Sequence, residues 1–130
     1  MIVVAEKTLR EAGENYLEAI LSLENESKDV RSIDVARQLE VSRPSVNKAL
    51  GVLKEMGMVE QQPYGAIRLT DKGRLRAIEV TSRHRTLKSF LINVLGVEVE
   101  TADEDACKME HVVSKETMRK LTDYLESLHK

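Results

Sequence analysis

No stretch of this 130-residue chain is apolar for long enough to cross a bilayer as a helix, and it contains no internal repeat or low-complexity tract. The apolar start, Met1 to Ala5, is too short for the apolar segment of a secretory leader and has no basic run before it. A cytoplasmic protein is therefore expected. Cysteine is nearly absent: Cys107 stands alone, which excludes an internal disulfide and agrees with a reducing compartment. In such a compartment a single thiol is more often buried, reactive or metal-bound than structural. Proline is confined to Pro44 and Pro63, so nothing breaks a helix over the long stretch from Thr70 to Gly96. A large net charge is also missing, the total being −2.

That small total conceals a division along the chain. Residues 1 to 30 carry 3 basic and 7 acidic side chains, residues 31 to 76 carry 9 and 5, and residues 77 to 130 carry 8 and 10. Only the middle is basic, which makes nucleic acid its natural partner, while the acidic ends are better placed to hold a cation. With 42% hydrophobic residues the length suits one substantial domain or two small ones sharing a core.

Helical spacing of Ala12, Tyr16, Ala19, Ile20 and Leu23, with Glu11, Glu14, Asn15 and Glu18 largely between them, predicts a first amphipathic helix over Glu11 to Leu23. A polar loop, Glu24 to Asp29, follows. Ser32 is expected to cap a second helix holding Ile33, Val35, Ala36 and Leu39, and the chain turns at Glu40 to Ser42 into a third helix starting at Arg43 and Pro44. Val46, Leu50 and Leu53 form its apolar face, and Gly57 suits a left-handed stop. Gly51 inside it costs about 1 kcal/mol relative to alanine; nothing in the sequence explains it, close helix packing being one possibility. Two alternating runs, Met58 to Gln62 and Ala66 to Thr70, flank Pro63, Tyr64 and Gly65 as a β-hairpin. Helix, helix, tight turn, helix and hairpin is the order of a winged helix-turn-helix, with the third helix offered to the major groove.

A long helix from a Thr70 N-cap to Gly96 carries Leu87, Phe90, Leu91, Val94 and Leu95 on one stripe, more than so small a domain needs for its own core, and so predicts a homodimer interface. An acidic helix with Cys107 and a final helix capped by Ser114, from Lys115 to about Leu128, complete the chain. The fold expected is mainly α: a winged helix-turn-helix DNA-binding domain over 1–74 and a helical metal-binding and dimerisation domain over 75–130.

If Asp105 to His111 is helical, Cys107, Glu110 and His111 stand at i, i+3 and i+4 and leave one face together. Thiolate, carboxylate and imidazole suit a borderline divalent ion and not Ca²⁺ or Mg²⁺, which prefer oxygen shells. A half-buried thiol beside a solvated Glu-His pair is the alternative for such a trio taken alone.

Five separated blocks, Glu14 to Ile20, Val41 to Val46, Leu69 to Gly73, Arg83-His84 before Phe90-Leu91, and Asp105 to Cys107 with Glu110-His111, occur in matching order in the diphtheria toxin repressor family of metal-dependent regulators, which this chain resembles from Glu14 to about Lys120. The resemblance implies metal-ligand positions at Asn15, Glu18, His84, Cys107, Glu110 and His111. It also implies the short two-domain form, without the SH3-like domain of longer members. Two departures stand out. The iron branch of that family has methionine at the position of Asn15, and the manganese branch has aspartate there and a carboxylate in place of Cys107. The thiolate favours Fe²⁺ over Mn²⁺, and Zn²⁺, Co²⁺ or Ni²⁺ would bind such a set in vitro. Lys88 and Asp103 replace a glutamate and a histidine of the iron branch's second metal site, where an ammonium group would repel a cation.

The function expected is a homodimeric, metal-activated repressor of metal uptake genes that binds a pseudo-palindromic operator in double-stranded DNA. Ser42, Pro44, Ser45, Asn47 and Lys48 would face DNA, Asn47 able to read adenine and Lys48 to read guanine or hold phosphate, with Arg43 and Arg68 on the backbone. The competing readings are a winged-helix regulator with an organic ligand or none, Cys107 being structural, and, more remotely, a zinc enzyme. The last lacks a general base or oxyanion donors in a pattern that fits.

Overall fold

The computed structural model describes residues 2–26, 29–63 and 65–129, with side chains from residue 13 onward. Ala12, counted above on the apolar face of the first helix, and Tyr64 of the hairpin turn lie outside the described side chains. The elements run α1 (Ile2–Glu26), α2 (Ser32–Leu39), α3 (Arg43–Glu55), β1 (Val59–Gln61), β2 (Ile67–Leu69), α4 (Asp71–Asn93), α5 (Val99–Met109) and α6 (Lys115–Ser127). They fall into two compact units, Met1–Ile78 and Glu79–Lys130, the boundary lying within α4.

The first unit is organised by one apolar core. Leu17 and Ile20 of α1, Val35 and Ala36 of α2, Val46, Leu50 and Leu53 of α3, and Val59, Ile67 and Leu69 of the hairpin are all buried in it. Burying each such side chain contributes about 1.5–3 kcal/mol. Leu17, absent from the expected stripe, is among the most deeply buried residues, so α1 turns a broader face inward than the spacing indicated. α1 also begins earlier than expected, at Ile2, no proline standing in its way.

Capping decides where the next helices start. Ser42 caps α3, its hydroxyl accepting from the Ser45 amide at 3.2 Å, and Pro44 stands in the first turn as expected. The expected cap at Ser32 is corrected: Arg31 is the N-cap of α2, and Asp34 in the first turn reaches back to accept from the Arg31 amide at 2.9 Å. A carboxylate at that position satisfies an orphan donor and complements the helix dipole, so it displaces the serine from the capping role.

β1 and β2 pair antiparallel in the register Val59 to Leu69, Glu60 to Arg68 and Gln61 to Ile67. A feature not foreseen is that Val30, just after the polar loop, forms a bridge to Ile67, whose amide donates to the Val30 carbonyl at 2.8 Å. The wing is thus tied back to the segment between α1 and α2. Glu24 adds a second tie, one oxygen accepting from the Leu69 amide at 3.2 Å and the other pairing with Arg74 at 2.8 Å.

The end of α3 and the start of α4 are clamped together. Carbonyls at a helix C-terminus need outside donors, and here Lys72 Nζ donates to the Met56 carbonyl at 3.0 Å and Thr70 Oγ1 to that of Gly57 at 2.6 Å. Thr70 Oγ1 also caps α4 by accepting from the Gly73 amide at 3.1 Å. Gly73 is required at this clamp, because a Cβ there would stand 2.0 Å from the Met58 carbonyl oxygen.

In the second unit Leu87, Leu91, Ala102, Ala106 and Met118 form the core. This divides the expected dimer stripe. Leu87 and Leu91 are consumed inside their own unit, whereas Phe90 and Val94 are half-buried and Leu95 is 60% exposed. Phe90 and Val94, with Thr117, Lys120, Leu121 and Tyr124 of α6, line an apolar groove of about 420 Å³.

Two glycines give opposite expectations. Gly73→Ala should lower unfolding free energy by about 2–3 kcal/mol, the usual cost of forcing an atom into a filled site. Gly51 is exposed and a Cβ there would meet nothing within 4 Å, so helix packing does not explain it. Gly51→Ala should raise stability by up to about 1 kcal/mol, both being checked by urea denaturation of the purified protein.

Candidate metal centre and nucleic-acid interface

α4 carries His84 and, one turn later, Lys88, while α5 carries Asp103 and, two turns on, Glu110 at its C-cap. His84 lies between the two carboxylates. Its Nδ1 is 2.8 Å from Glu110 Oε2 and its Nε2 is 2.9 Å from Asp103 Oδ1. On the far side of Glu110, His111 Nε2 is 3.4 Å from Oε1. Glu110 is 0% exposed and His111 4%, so a carboxylate is held out of water between two imidazoles. Arg83 donates from Nη1 to the Glu110 carbonyl at 2.8 Å, which satisfies a backbone acceptor left over at the end of α5.

The turn after α5 creates this arrangement. Helical hydrogen bonding continues through the Glu110 amide to Ala106 at 2.9 Å, and the backbone then turns back toward the Ser114 cap of α6. His111 consequently sits in the turn, not on the helix face, which corrects the expectation of a continuous helix from Asp105 to His111. The short connection between α5 and α6 buries it instead.

A carboxylate oxygen and imidazole nitrogens within about hydrogen-bonding distance of one another form a donor set that fits a borderline divalent transition metal. Neutral imidazole donates through one nitrogen only. Of the two carboxylate contacts of a neutral His84 ring, at most one is a donated hydrogen bond. Cys107 lies on the exposed side of α5, one turn before Glu110. Asn15 and Glu18 are half-buried on α1 one turn apart, and neighbouring Glu14, grouped above with the polar face, is buried and paired with Arg76 at 3.5 Å.

Lys88 and Asp103 are joined directly, Nζ to Oδ1 at 3.2 Å. The hydrogen bond from His84 first, and that from Lys88 second, hold the Asp103 carboxyl below its ordinary value of 3.8. The His84 to Asp103 contact was missed in the sequence. The available signal was spacing: Asp103 and Glu110 stand seven apart and so share a helix face.

Comparison with known proteins agrees with both halves of this architecture. Residues 8–67 match the model of the iron dependent repressor N-terminal DNA binding domain, and residues 70–130 match that of the iron dependent repressor metal binding and dimerisation domain. The chain belongs to the iron-dependent repressor family. It is 42% identical to the transcriptional regulator MntR of Escherichia coli O157:H7 over 115 residues, 88% of this chain and 74% of that one. It is 32% identical to the diphtheria toxin repressor of Corynebacterium glutamicum over 124 residues, 95% of this chain but only 54% of the relative. Among solved structures, a manganese-dependent transcriptional repressor in complex with manganese superposes with a TM-score of 0.80 at 30% identity, covering 88% of this chain and 52% of that one. The chain thus spans about half the length of some relatives. These relatives are transcription regulators, not enzymes, and among the described residues no helix is long and apolar enough to cross a membrane.

As in other iron-dependent repressors, the first unit carries the DNA-binding function of the family. Ser42, Arg43, Pro44, Ser45, Asn47 and Lys48, at the start of α3, are all exposed, as is Arg68 on β2. Ser42 has a capping duty in addition, and its hydroxyl also lies 2.8 Å from that of Ser45. Val46, between them, is fully buried, so the exposed residues occupy one side of a helix whose other side is fixed in the core.

The Asp103 carboxyl gives a measurable sign. With its folded-state value lowered, its contribution to stability is present above about 3.8 and is lost as pH falls through the lowered value. The carboxyl is 54% exposed, so the contribution is small. In a carbon-13 NMR titration, His84→Ala should move the Asp103 midpoint upward more than Lys88→Met does; the reverse order would show the ammonium to be the stronger partner.

Proposed function

We propose that this protein is a homodimeric, metal-activated transcriptional repressor of metal uptake genes, acting in the cytoplasm with Fe²⁺ as the favoured ion and Mn²⁺ next. The observation that carries the proposal is the buried Glu110 carboxylate between His84 and His111 in a unit that matches the family's metal binding and dimerisation domain. Cys107, one turn from Glu110, adds the soft ligand that favours Fe²⁺. Family resemblance adds Asn15 and Glu18 of α1 as the remaining ligands. A divalent ion held by such ligands would supply the positive charge to which DNA binding responds.

The protein's own residues do the rest. α3 enters the major groove of operator DNA, where Asn47 reads adenine and Lys48 reads guanine or holds phosphate, with Arg43 and Arg68 on the backbone. The groove formed by Phe90, Val94, Leu121 and Tyr124 receives the second protomer, in keeping with the matched dimerisation domain. A dimer engages both halves of a pseudo-palindrome when its two reading helices lie about 34 Å apart. Taking that arrangement from rare to dominant requires about 5.5 kcal/mol of differential binding, within the range that a multidentate metal site supplies.

Fluorescence anisotropy on operator DNA tests this with anaerobic Fe²⁺, with Mn²⁺ and with chelator. Binding should tighten by 100-fold or more, on the order of 3 kcal/mol, with Fe²⁺. Equal affinity in all three conditions would replace the proposal with a regulator that answers to an organic ligand or to none. Glu110→Gln should abolish the metal response while the dimer stays folded. Lys48→Ala should weaken DNA binding without changing metal affinity in the free protein.

A further inference from the structure

The wing is anchored along one edge by two acceptors of different kinds. β2 pairs with β1 on one side, and the amides of Ile67 and Leu69, two residues apart and so pointing the same way, leave from the other. The Ile67 amide donates to the Val30 carbonyl at 2.8 Å, as it would to a third strand. The Leu69 amide, next along that edge, donates instead to a side chain, Glu24 Oε1, at 3.2 Å. A carboxylate oxygen thus continues the ladder one step beyond the Val30 bridge. Glu24 stands in the last turn of α1, which carries no basic residue and where the helix dipole disfavours a negative charge. Local helix chemistry therefore does not account for it. Its other oxygen, Oε2, pairs with Arg74 at 2.8 Å; that guanidinium is 43% exposed, so the pair itself adds little to stability. What the pair does is keep Oε1 turned toward the Leu69 amide.

Arg68 lies between the two anchored residues. Ile67 and Leu69 are buried on one face of β2, and Arg68 is exposed on the other. We infer that Glu24 is a positioning residue for the wing: by holding the Leu69 amide it fixes the direction in which Arg68 leaves β2, and so the contact that this arginine makes with DNA. This rests on Arg68 meeting the DNA backbone, as proposed above, and names the group that sets that contact. An arginine on a strand held at both flanks loses less conformational freedom on meeting a phosphate than one on a loose strand, and binds more tightly for that reason.

The experiment uses the full chain with Mn²⁺ and a fluorescent DNA duplex selected by that protein from a random-sequence pool, with affinity measured over a series of salt concentrations. Arg68→Ala should weaken binding by about 10-fold and flatten the dependence of log affinity on log salt by about one. Glu24→Ala should weaken it by about 3- to 10-fold. It should also remove hydrogen-exchange protection from the Leu69 amide, keep that of Ile67, and leave Mn²⁺ affinity unchanged. Glu24→Gln, whose amide oxygen still accepts from Leu69, should restore most of the DNA affinity. In an Arg68→Ala background, Glu24→Ala should cost less than about twofold more. An equal loss with and without Arg68, or no loss at all, would overturn the positioning role. Arg74→Met frees the carboxylate without removing it and should give a smaller loss, again only while Arg68 is present; this pair decides the matter if Glu24→Ala does not fold. Unchanged binding in Arg68→Ala would instead overturn the assignment of Arg68 to the DNA backbone.

Discussion

A carboxylate with no exposure to water must be compensated, and the burial of Glu110 is the constraint on which the second unit depends. Removing such a group from water costs several kcal/mol unless charge and hydrogen bonds replace the solvent. His84 Nδ1 meets one carboxylate oxygen at 2.8 Å, His111 Nε2 lies 3.4 Å from the other, and Arg83 secures the same residue through its carbonyl. A divalent cation is a strong compensator of a carboxylate so buried. The same burial that makes the metal-free arrangement dependent on its histidines makes it receptive to an ion.

The scaffold around this group consists of small and rigid contacts. Ala102 and Ala106, fully buried on α5, share a core with Leu87 and Leu91 of α4, beside which His84 sits between Asp103 and Glu110. A pair of larger side chains would force the helices apart, since interaxial distance follows the residues at the contact. Apolar packing thus fixes the separation over which polar groups must meet. In the first unit the corresponding rigidity comes from the clamp between the end of α3 and the start of α4 and from the Val30 bridge to the wing. A reading helix held this way presents its exposed side as a unit, which suits recognition of a fixed groove.

Much of the architecture was legible from local pattern. Ser42, Pro44 and the Val46, Leu50 and Leu53 face specified α3, and Thr70 and Ser114 marked the starts of α4 and α6. What escaped were one competing local contact, one turn, and one face covered by other helices. Asp34 took the capping role from Ser32 because its carboxylate reaches the Arg31 amide. Leu87 and Leu91 left the exposed stripe because α5 and α6 cover them. His111 left the helix because the chain turns back to begin α6.

The order and type of the elements and the basic middle segment were determined by the sequence itself, because periodicity and charge are properties of neighbours along the chain. Only the tertiary structure decided that Glu110 is buried, that His84 lies between it and Asp103, and that Lys88 engages Asp103. Those relations join α4 to α5 between residues at least 15 positions apart in the chain. No local rule reports which side chains a folded core will bring within 3 Å of one another.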